Sequence, residues 1–229
     1  LIPAFKAAGA QLHTIVTSGG VSGVSQGVKA GFARAGTDVD AVLADRQSNT
    51  VVVATRHDTH AQYVVKALAA GKHVFVEKPL ALTRGDLSAV EHAYQEAHAG
   101  ETGPHLMVGF NRRFSPLVDR VMALLAGSQE PRSFIMTMNA GEIPSDHWTQ
   151  DRVVGGGRIA GEACHYVDLM RYMASSGIVS VQARRMGDAP GVAVAEDKAV
   201  IVLGFANGSV GTIYYLANGS KSFPKERIE

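Results

Sequence analysis

A carboxylate and an ammonium stand side by side at Glu77-Lys78-Pro79, directly after the apolar run His73-Val74-Phe75-Val76. That run is too short for a helix and is β-branched and aromatic, and Gly71 closes the helix before it. The spacing therefore puts Glu77 and Lys78 at the carboxyl edge of a strand. Open α/β sheets hold their ligands at that edge. Pro79 adds a peptide bond able to adopt the cis form, which would fix Lys78 in one direction. Taken alone, the triplet also reads as a surface turn carrying a weak, solvated ion pair. A second cluster lies at Gly161-Glu162-Ala163-Cys164-His165-Tyr166-Val167-Asp168, where a carboxylate stands three residues to either side of an imidazole. Residues three apart share a helical face. Glu162 can serve His165 or favour the helix start through the dipole; Asp168 can hold the ring or form a helix-surface salt bridge. Cys164 beside His165 invites a metal or nucleophile reading. Adjacent helical residues point in different directions, however, and no second cysteine exists, so packing is expected and no metal site.

Strands and helices alternate through the first half, and these elements must position the two clusters. Leu1-Ile2-Pro3-Ala4-Phe5-Lys6-Ala7-Ala8 reads as a helix closed by Gly9, and Leu12 to Thr17 as a strand. Ser18 to Gly23 is a glycine-rich loop and Val24 to Ala35 has helical spacing. Thr50 to Ala54 is a strand, His60 to Ala70 a helix, Thr83 to His98 a helix opened by a Thr-x-x-Asp start, and His105 to Gly109 a strand. That order predicts parallel strands with right-handed crossovers, a doubly wound α/β sheet. After Arg113 the pattern changes. A helix to Ala126, a strand from Arg132 to Asn139 and a long loop precede Gly155-Gly156-Gly157 and a helix from Ile159 to Ala174. Strands at Ile178 to Met186, Asp197 to Phe205 and Ser209 to Leu216 follow, with Asn207-Gly208 as a hairpin turn. We expect two domains, 1–113 and 114–229, the second an α+β fold on a mostly antiparallel sheet.

With 229 residues, 46% hydrophobic and 19% charged, the chain can bury a sizeable core. A net charge of +1 gives no electrostatic argument for nucleic acid or an acidic membrane. No stretch approaches a bilayer span, no signal-peptide pattern stands at Leu1, and a single cysteine fits a reducing cytoplasm.

Four motifs in order carry a resemblance to a known family. They are Val52-Val53-Ala54-Thr55 with His60 five on, Gly71-Lys72-His73-Val74 through Glu77-Lys78-Pro79, Gly109-Phe110-Asn111-Arg112-Arg113-Phe114, and Gly155-Gly156-Gly157 through His165-Tyr166-Val167-Asp168. The chain resembles the glucose-fructose oxidoreductase and inositol dehydrogenase (Gfo/Idh/MocA) family along nearly its whole length. The segments Ile143-Pro144-Ser145-Asp146-His147-Trp148 and Gly161 to His165 resemble a branch in which this module follows a zinc-type alcohol dehydrogenase module. The resemblance implies a Rossmann domain for NAD or NADP and a second domain whose sheet forms the substrate floor and often the interface of a homo-oligomer. It also implies hydride transfer to or from a sugar or cyclitol carbon. By that resemblance Ala54, Thr55, Glu77, Lys78 and Pro79 lie toward the cofactor, with Glu77 on the nicotinamide ribose; His60, opening a helix just after a strand, reads equally as pocket lining or as a helix cap, and His57 reads as a solvated loop histidine or as a cofactor contact. Lys78 and His165 lie toward the substrate by the same resemblance; Asn111 and Arg112 follow a strand end and face either the substrate or the nicotinamide carboxamide, and Trp148, in a long loop, reads as a pocket wall or as core packing. Lys78 bridges substrate hydroxyl and nicotinamide, stabilising developing alkoxide charge, and His165 acts as general base, as suits an imidazole near neutral pKa. For Arg113 a structural ion pair is expected instead.

The sequence departs from the family at three places. Gly161 stands where an aspartate lies four residues before the histidine in most members, so Glu162 is the candidate replacement. Thr17 and Ser18 stand where an acid for the adenosine ribose is often found, which leaves NAD and NADP open. A first strand and Gly-x-Gly-x-x-Gly turn are missing before Leu1, and the chain stops at Glu229 on the way into another strand, so a longer protein is expected. Two functions follow: an oxidoreductase acting on CH-OH groups, or a non-catalytic cofactor-binding or assembly module. A lyase or hydrolase using bound NAD transiently is a minor third.

Overall fold

The computed structural model describes residues 1–100, 102–128, 130–188, 190–192, 194 and 196–229. Helix α1 (Ile2–Ala7) carries Pro3 in its first turn, where a missing N–H costs nothing. Strand β1 (Thr14–Val16) pairs in parallel with β2 (Arg34–Gly36), across helix α2 (Val21–Ala30). The helix expected to reach Ala35 ends at Ala30 because Gly31 takes a left-handed conformation, φ 87°. The residues after it form β2 and a short helix α3 (Val39–Ala44), whose Asp38 carboxylate accepts from the Ala41 N–H at 3.1 Å. Both elements are too short for periodicity to disclose.

Strand β3 (Thr50–Val53), helix α4 (His60–Ala69), strand β4 (His73–Val76), helix α5 (Arg84–Ala97) and strand β5 (Leu106–Val108) continue the alternation, with strand order β3-β4-β5. The expected Thr-x-x-Asp start caps α5 through the threonine hydroxyl: Thr83 Oγ1 accepts from the Asp86 N–H at 3.1 Å and donates to Asp86 Oδ2 at 2.7 Å. This is the Rossmann-type half, its strand pairing divided between the β1–β2 and β3-β4-β5 ladders. The second half holds helix α6 (Pro116–Leu125), strand β6 (Ser133–Asn139), a π-helical turn over Ile159–Ala163, helix α7 (Cys164–Ala174) and strands β7 (Ile178–Arg185), β8 (Lys198–Phe205), β9 (Val210–Leu216) and β10 (Glu226–Ile228). Their order is β10-β6-β9-β8-β7. Only the β6–β9 pair is parallel, so the sheet is mostly antiparallel as expected. Asn207-Gly208 turns β8 into β9, with Gly208 at φ 85°.

Contacts divide the chain by alternating segments. One unit comprises Leu1–Val53, Tyr63–Phe75 and Val90–Leu106; the other comprises Ala54–Gln62, Val76–Ala89 and Met107–Glu229, so residue 113 falls inside the second unit. In the first unit Phe5 meets Phe75 edge-on at 5.4 Å, and the buried Lys72 ammonium donates to the Asp45 and Ser48 carbonyls at 2.7 and 2.6 Å. In the second, alternate residues of the sheet (Phe134, Met136, Met138, Ile201, Leu203, Ile213, Tyr215) face Tyr166, Leu169, Met170 and Met173 of α7. Each such buried side chain is worth about 1.5–3 kcal/mol over exposure. This core sets where α7, and therefore His165, sits. Among the described residues no helix is long and apolar enough to cross a membrane.

Candidate active site

Every expected site residue belongs to the second contact unit. Strand β4 ends at Val76, whose carbonyl accepts from the Gly109 N–H at 2.8 Å, and Glu77 and Lys78 leave the strand half-buried. The Lys78–Pro79 bond is cis. Lys78 Nζ donates to the Gly161 carbonyl at 2.8 Å. An ammonium has three donors, so two remain for a ligand. Glu77 is half-buried, and its carboxylate meets no partner among the described residues. The surface-turn reading of the triplet fails here: Glu77 and Lys78 do not pair with each other.

His165, 9% exposed, is the second residue of α7. Its Nδ1 is buried without a hydrogen-bond partner. Burial, then the charges of Lys78 and Arg112, push its pKa down to about 4, against the opposing pull of Glu162 and Asp168. The ring is therefore neutral near pH 7, with a lone pair for an incoming proton. Phe110 packs edge-on against it at 6.2 Å. Cys164 is a packing residue whose thiol burial pushes up to about 11, and no group of three or more metal-ligating side chains exists among the described residues.

The carboxylates are otherwise engaged. Glu162 accepts from Arg158 Nη2 at 3.1 Å and from the Tyr215 hydroxyl, and Arg158 also donates to the Gly141 carbonyl at 2.6 Å. Burial pushes the Glu162 carboxyl up, but Tyr215 and Arg158 outweigh it and hold it below its ordinary value. The replacement acid expected for Lys78 thus reaches His165 only through its field, and Lys78 is anchored by a peptide carbonyl instead. The π-helical turn over Ile159–Ala163 places that carbonyl, where helical hydrogen bonding leaves its regular ladder. Asp168 does not hold His165; it pairs with Arg113 through two hydrogen bonds, the Nε–Oδ2 one at 3.0 Å. The ion pair expected of Arg113 is therefore present.

Other expected positions divide. His60 is fully buried, with Nδ1 2.8 Å from the Pro79 carbonyl and Nε2 3.0 Å from the Thr55 carbonyl. It clamps those two loops together and offers no surface to a cofactor, and Pro79 is buried with it. Arg112 grips Glu226 of β10 with two hydrogen bonds, Nη2–Oε1 at 2.8 Å, and lies over the Tyr166 ring at 5.0 Å, so its two terminal nitrogens are committed to the protein while Nε is buried without a partner. Ala54, Thr55 and Asn111 are exposed. Trp148 is half-buried and meets His57 edge-on at 4.8 Å, and Arg56 lies over its ring at 5.9 Å. His57 Nδ1 lies 2.8 Å from the Gly155 carbonyl. Gly155 is required by space: a Cβ there would stand 2.5 Å from the Trp148 carbonyl oxygen and from Thr149 Cα. Sequence reasoning missed Arg158 and Tyr215; the glycines at 155 and 161 were the signal that backbone and side chains crowd here.

Two family models match, one described as "Oxidoreductase family, NAD-binding Rossmann fold" over residues 7–108 and one as "GFO/IDH/MocA C-terminal domain" over residues 130–225. The chain belongs to the Gfo/Idh/MocA oxidoreductase family. Relatives in it include inositol 2-dehydrogenase of Acidothermus cellulolyticus, 33% identical over 153 residues, 66% of this chain and 42% of that protein. Another is 1-carboxy-3-chloro-3,4-dihydroxycyclohexa-1,5-diene dehydrogenase of Comamonas testosteroni, 30% identical over 148 residues, 63% of this chain and 36% of that one. Among solved structures, an oxidoreductase domain protein from Kribbella flavida is 28% identical with a TM-score of 0.81, covering 92% of this chain and 60% of its own. This Gfo/Idh/MocA chain spans about half the length of the curated relatives it matches.

Proposed function

We propose that the protein carrying this chain is a nicotinamide-dependent oxidoreductase that transfers a hydride between NAD or NADP and a ring hydroxyl-bearing carbon of a sugar or cyclitol. The observation that carries this reading is the Lys78 ammonium, fixed on the Gly161 carbonyl with two donors free, beside a buried neutral His165 whose Nδ1 is unpartnered. The family description and the ring-alcohol dehydrogenases among the relatives support it. The residues present fit a dinucleotide: the half-buried, unpartnered Glu77 carboxylate at the strand edge is an acceptor suited to a ribose diol, and exposed Ala54 and Thr55 follow β3. When bound, the nicotinamide supplies the hydride acceptor or donor.

In the oxidation direction the substrate hydroxyl lies between Lys78 and His165. His165 takes the O–H proton, Lys78 donates to the oxygen as alkoxide charge grows, and the carbon releases its hydride as the C–O bond becomes a carbonyl. In the free site Lys78 opposes an imidazolium at His165. As the alkoxide forms, its negative charge offsets that opposition, so proton and hydride departure support each other. Glu162, held by Arg158 and Tyr215, contributes a fixed negative field and not a proton.

The test is turnover of a sugar and cyclitol panel with NAD and with NADP, His165→Ala serving as the control. We expect oxidation of at least one ring polyol, abolished in the variant. Turnover insensitive to His165, or none on any member, would sink the oxidoreductase reading in favour of a non-catalytic module. Placement behind a zinc-type alcohol dehydrogenase module is a finer proposal, resting on the 143–148 and 161–165 segments alone. A cytoplasmic setting rests on the single cysteine.

The outward face of the five-stranded sheet supports a homo-oligomer. Ile135 and Tyr214 are 44% and 40% exposed there, beside Val200, Val202 and Thr212 in paired register. Sedimentation velocity is expected to show a dimer that Tyr214→Glu converts to monomer; a monomeric parent protein would refute this.

A further inference from the structure

A cavity of about 500 Å³ lies between the loop leading into Gly157 and the connection from β7 to β8, lined wholly by residues of the second contact unit. Arg152, Arg158 and Arg185 line it, against the carboxylates of Glu196 and Asp197. The acids are spent and the arginines are not. Asp197 is 3% exposed, and its Oδ1 accepts from Lys198 Nζ at 2.8 Å. Glu196 gives both its oxygens to Arg152, with Oε2 3.0 Å from Nε. A guanidinium carries five N–H donors, so Arg152 keeps donors beyond that pair. Arg185 does too, with Nη1 and Nη2 on Asp188 at 2.7 and 3.4 Å. Arg158 is buried, its donors on the Gly141 carbonyl and Glu162, and adds a fixed positive charge. Gln150, on the same wall, holds a buried Nε2 that meets no partner among the described residues. The cavity is therefore net positive and has more donors than acceptors to receive them.

The Arg152–Glu196 pair shows the chemistry that suits this wall. Two N–H groups of one guanidinium meet two oxygens of one carboxylate, the bidentate geometry by which arginine recognises carboxylates and phosphates. Both side chains are exposed, 75% and 56%, so the pair is worth little to the fold and can exchange for an outside anion. We propose that the cavity is a binding site for a small oxyanion, a carboxylate or phosphate group, and that Glu196 holds the ligand's place on Arg152 until the ligand displaces it. Arg185 meets the ligand from the opposite strand connection, since its partner Asp188 is equally exposed. The oxyanion is either a substituent of a ring ligand or a free small anion, and both use the same arginines. Neither Lys78 nor His165 lines the cavity, so the site goes beyond hydride transfer and does not depend on it.

Calorimetric titration of the full-length protein with inorganic phosphate, at constant ionic strength and with NADH present to fill the dinucleotide site, is expected to show saturable binding. Arg152→Gln is expected to weaken it at least about tenfold, through loss of a charge-assisted bidentate contact. Glu196→Gln is expected to tighten it about two- to fivefold, because the ligand no longer competes with an exposed carboxylate. A merely structural ion pair would move both variants the same way or neither. Arg184→Gln removes an exposed arginine of β7 outside the cavity and is expected to change nothing. Absence of saturable binding, binding indifferent to Arg152→Gln, or binding weakened by Glu196→Gln overturns the proposal. A second pair of probes finds the source of the oxyanion. D-glucuronate binding more tightly than acetate, both dependent on Arg152, places it on a ring ligand; equal, Arg152-dependent binding of the two makes it a free anion. None of these readouts uses turnover. Loss of anion binding therefore leaves the oxidoreductase reading standing, and failed turnover leaves the anion site standing.

Discussion

Lys78→Met is expected to lower kcat/KM for whichever ring polyol the proposed activity acts on by about 100- to 1000-fold, the usual cost of removing one preorganised donor from a developing oxyanion. Methionine keeps the apolar stem and loses only the charge and its donors, so the fall is expected in kcat rather than in folding. The same variant has a second readout that needs no substrate. Lys78 is the first charge, after burial, that drives His165 down to about 4, because a cation nearby disfavours a second positive charge. Removing it favours the imidazolium, so the His165 titration followed by NMR moves up toward the ordinary value of 6.5. At a pH between those limits more of the ring is then protonated and less is available as base, and the acid limb of the oxidation profile shifts to higher pH. A His165 titration unmoved in the variant, or turnover within tenfold of the parent, would disprove the pairing of Lys78 with His165.

Arg113→Met costs about 3–5 kcal/mol of stability. Asp168 lies on the buried side of α7 with 8% of its side chain exposed, and the Arg113 guanidinium is its only ion-pair partner among the described residues. Arg113 also covers the Tyr172 ring at 5.3 Å. Removing the arginine leaves a carboxylate in the interior without a counter-charge, whereas removing both charges leaves only lost hydrogen bonds. Urea unfolding at pH 7 should therefore give a large loss for Arg113→Met and recovery of at least half of it in Arg113→Met with Asp168→Asn. Equal losses in the single and double variants would mean that the charge pair does not hold α7.

Local signals explain what was legible before any coordinates. The strand ending at Val76, the threonine cap at Thr83 and the hairpin at Asn207-Gly208 are each encoded within a few residues, and each stands as read. Arg113 was also placed correctly as a structural cation. Pairings distant in sequence were not legible. Glu162 shares a helical face with His165, yet its carboxylate is taken by Tyr215, 53 residues on, and Arg112 is taken by Glu226, 114 residues on. No periodicity reports such partners. The continuous helix expected from Ile159 became a π-helical turn followed by α7, a change of one hydrogen-bond step that side-chain spacing does not express. His60, opening a helix just after a strand, read equally as pocket lining or as a helix cap; the Thr55 and Pro79 carbonyls on its two ring nitrogens make it a clamp.

The anchor of Lys78 is a main-chain oxygen, and this changes how the site can be lost over generations. A carboxylate anchor disappears with a single codon change, but a peptide carbonyl is present whatever residue the codon specifies. Drift at position 161 therefore cannot unhook the ammonium by deleting its partner; it acts by pushing aside the His57 ring, whose Cε1 lies 2.9 Å from where a Cβ on Gly161 would stand. Selection on this pair should then be seen as joint change, a larger residue at 161 arriving with a smaller one at 57, while Lys78 itself stays fixed.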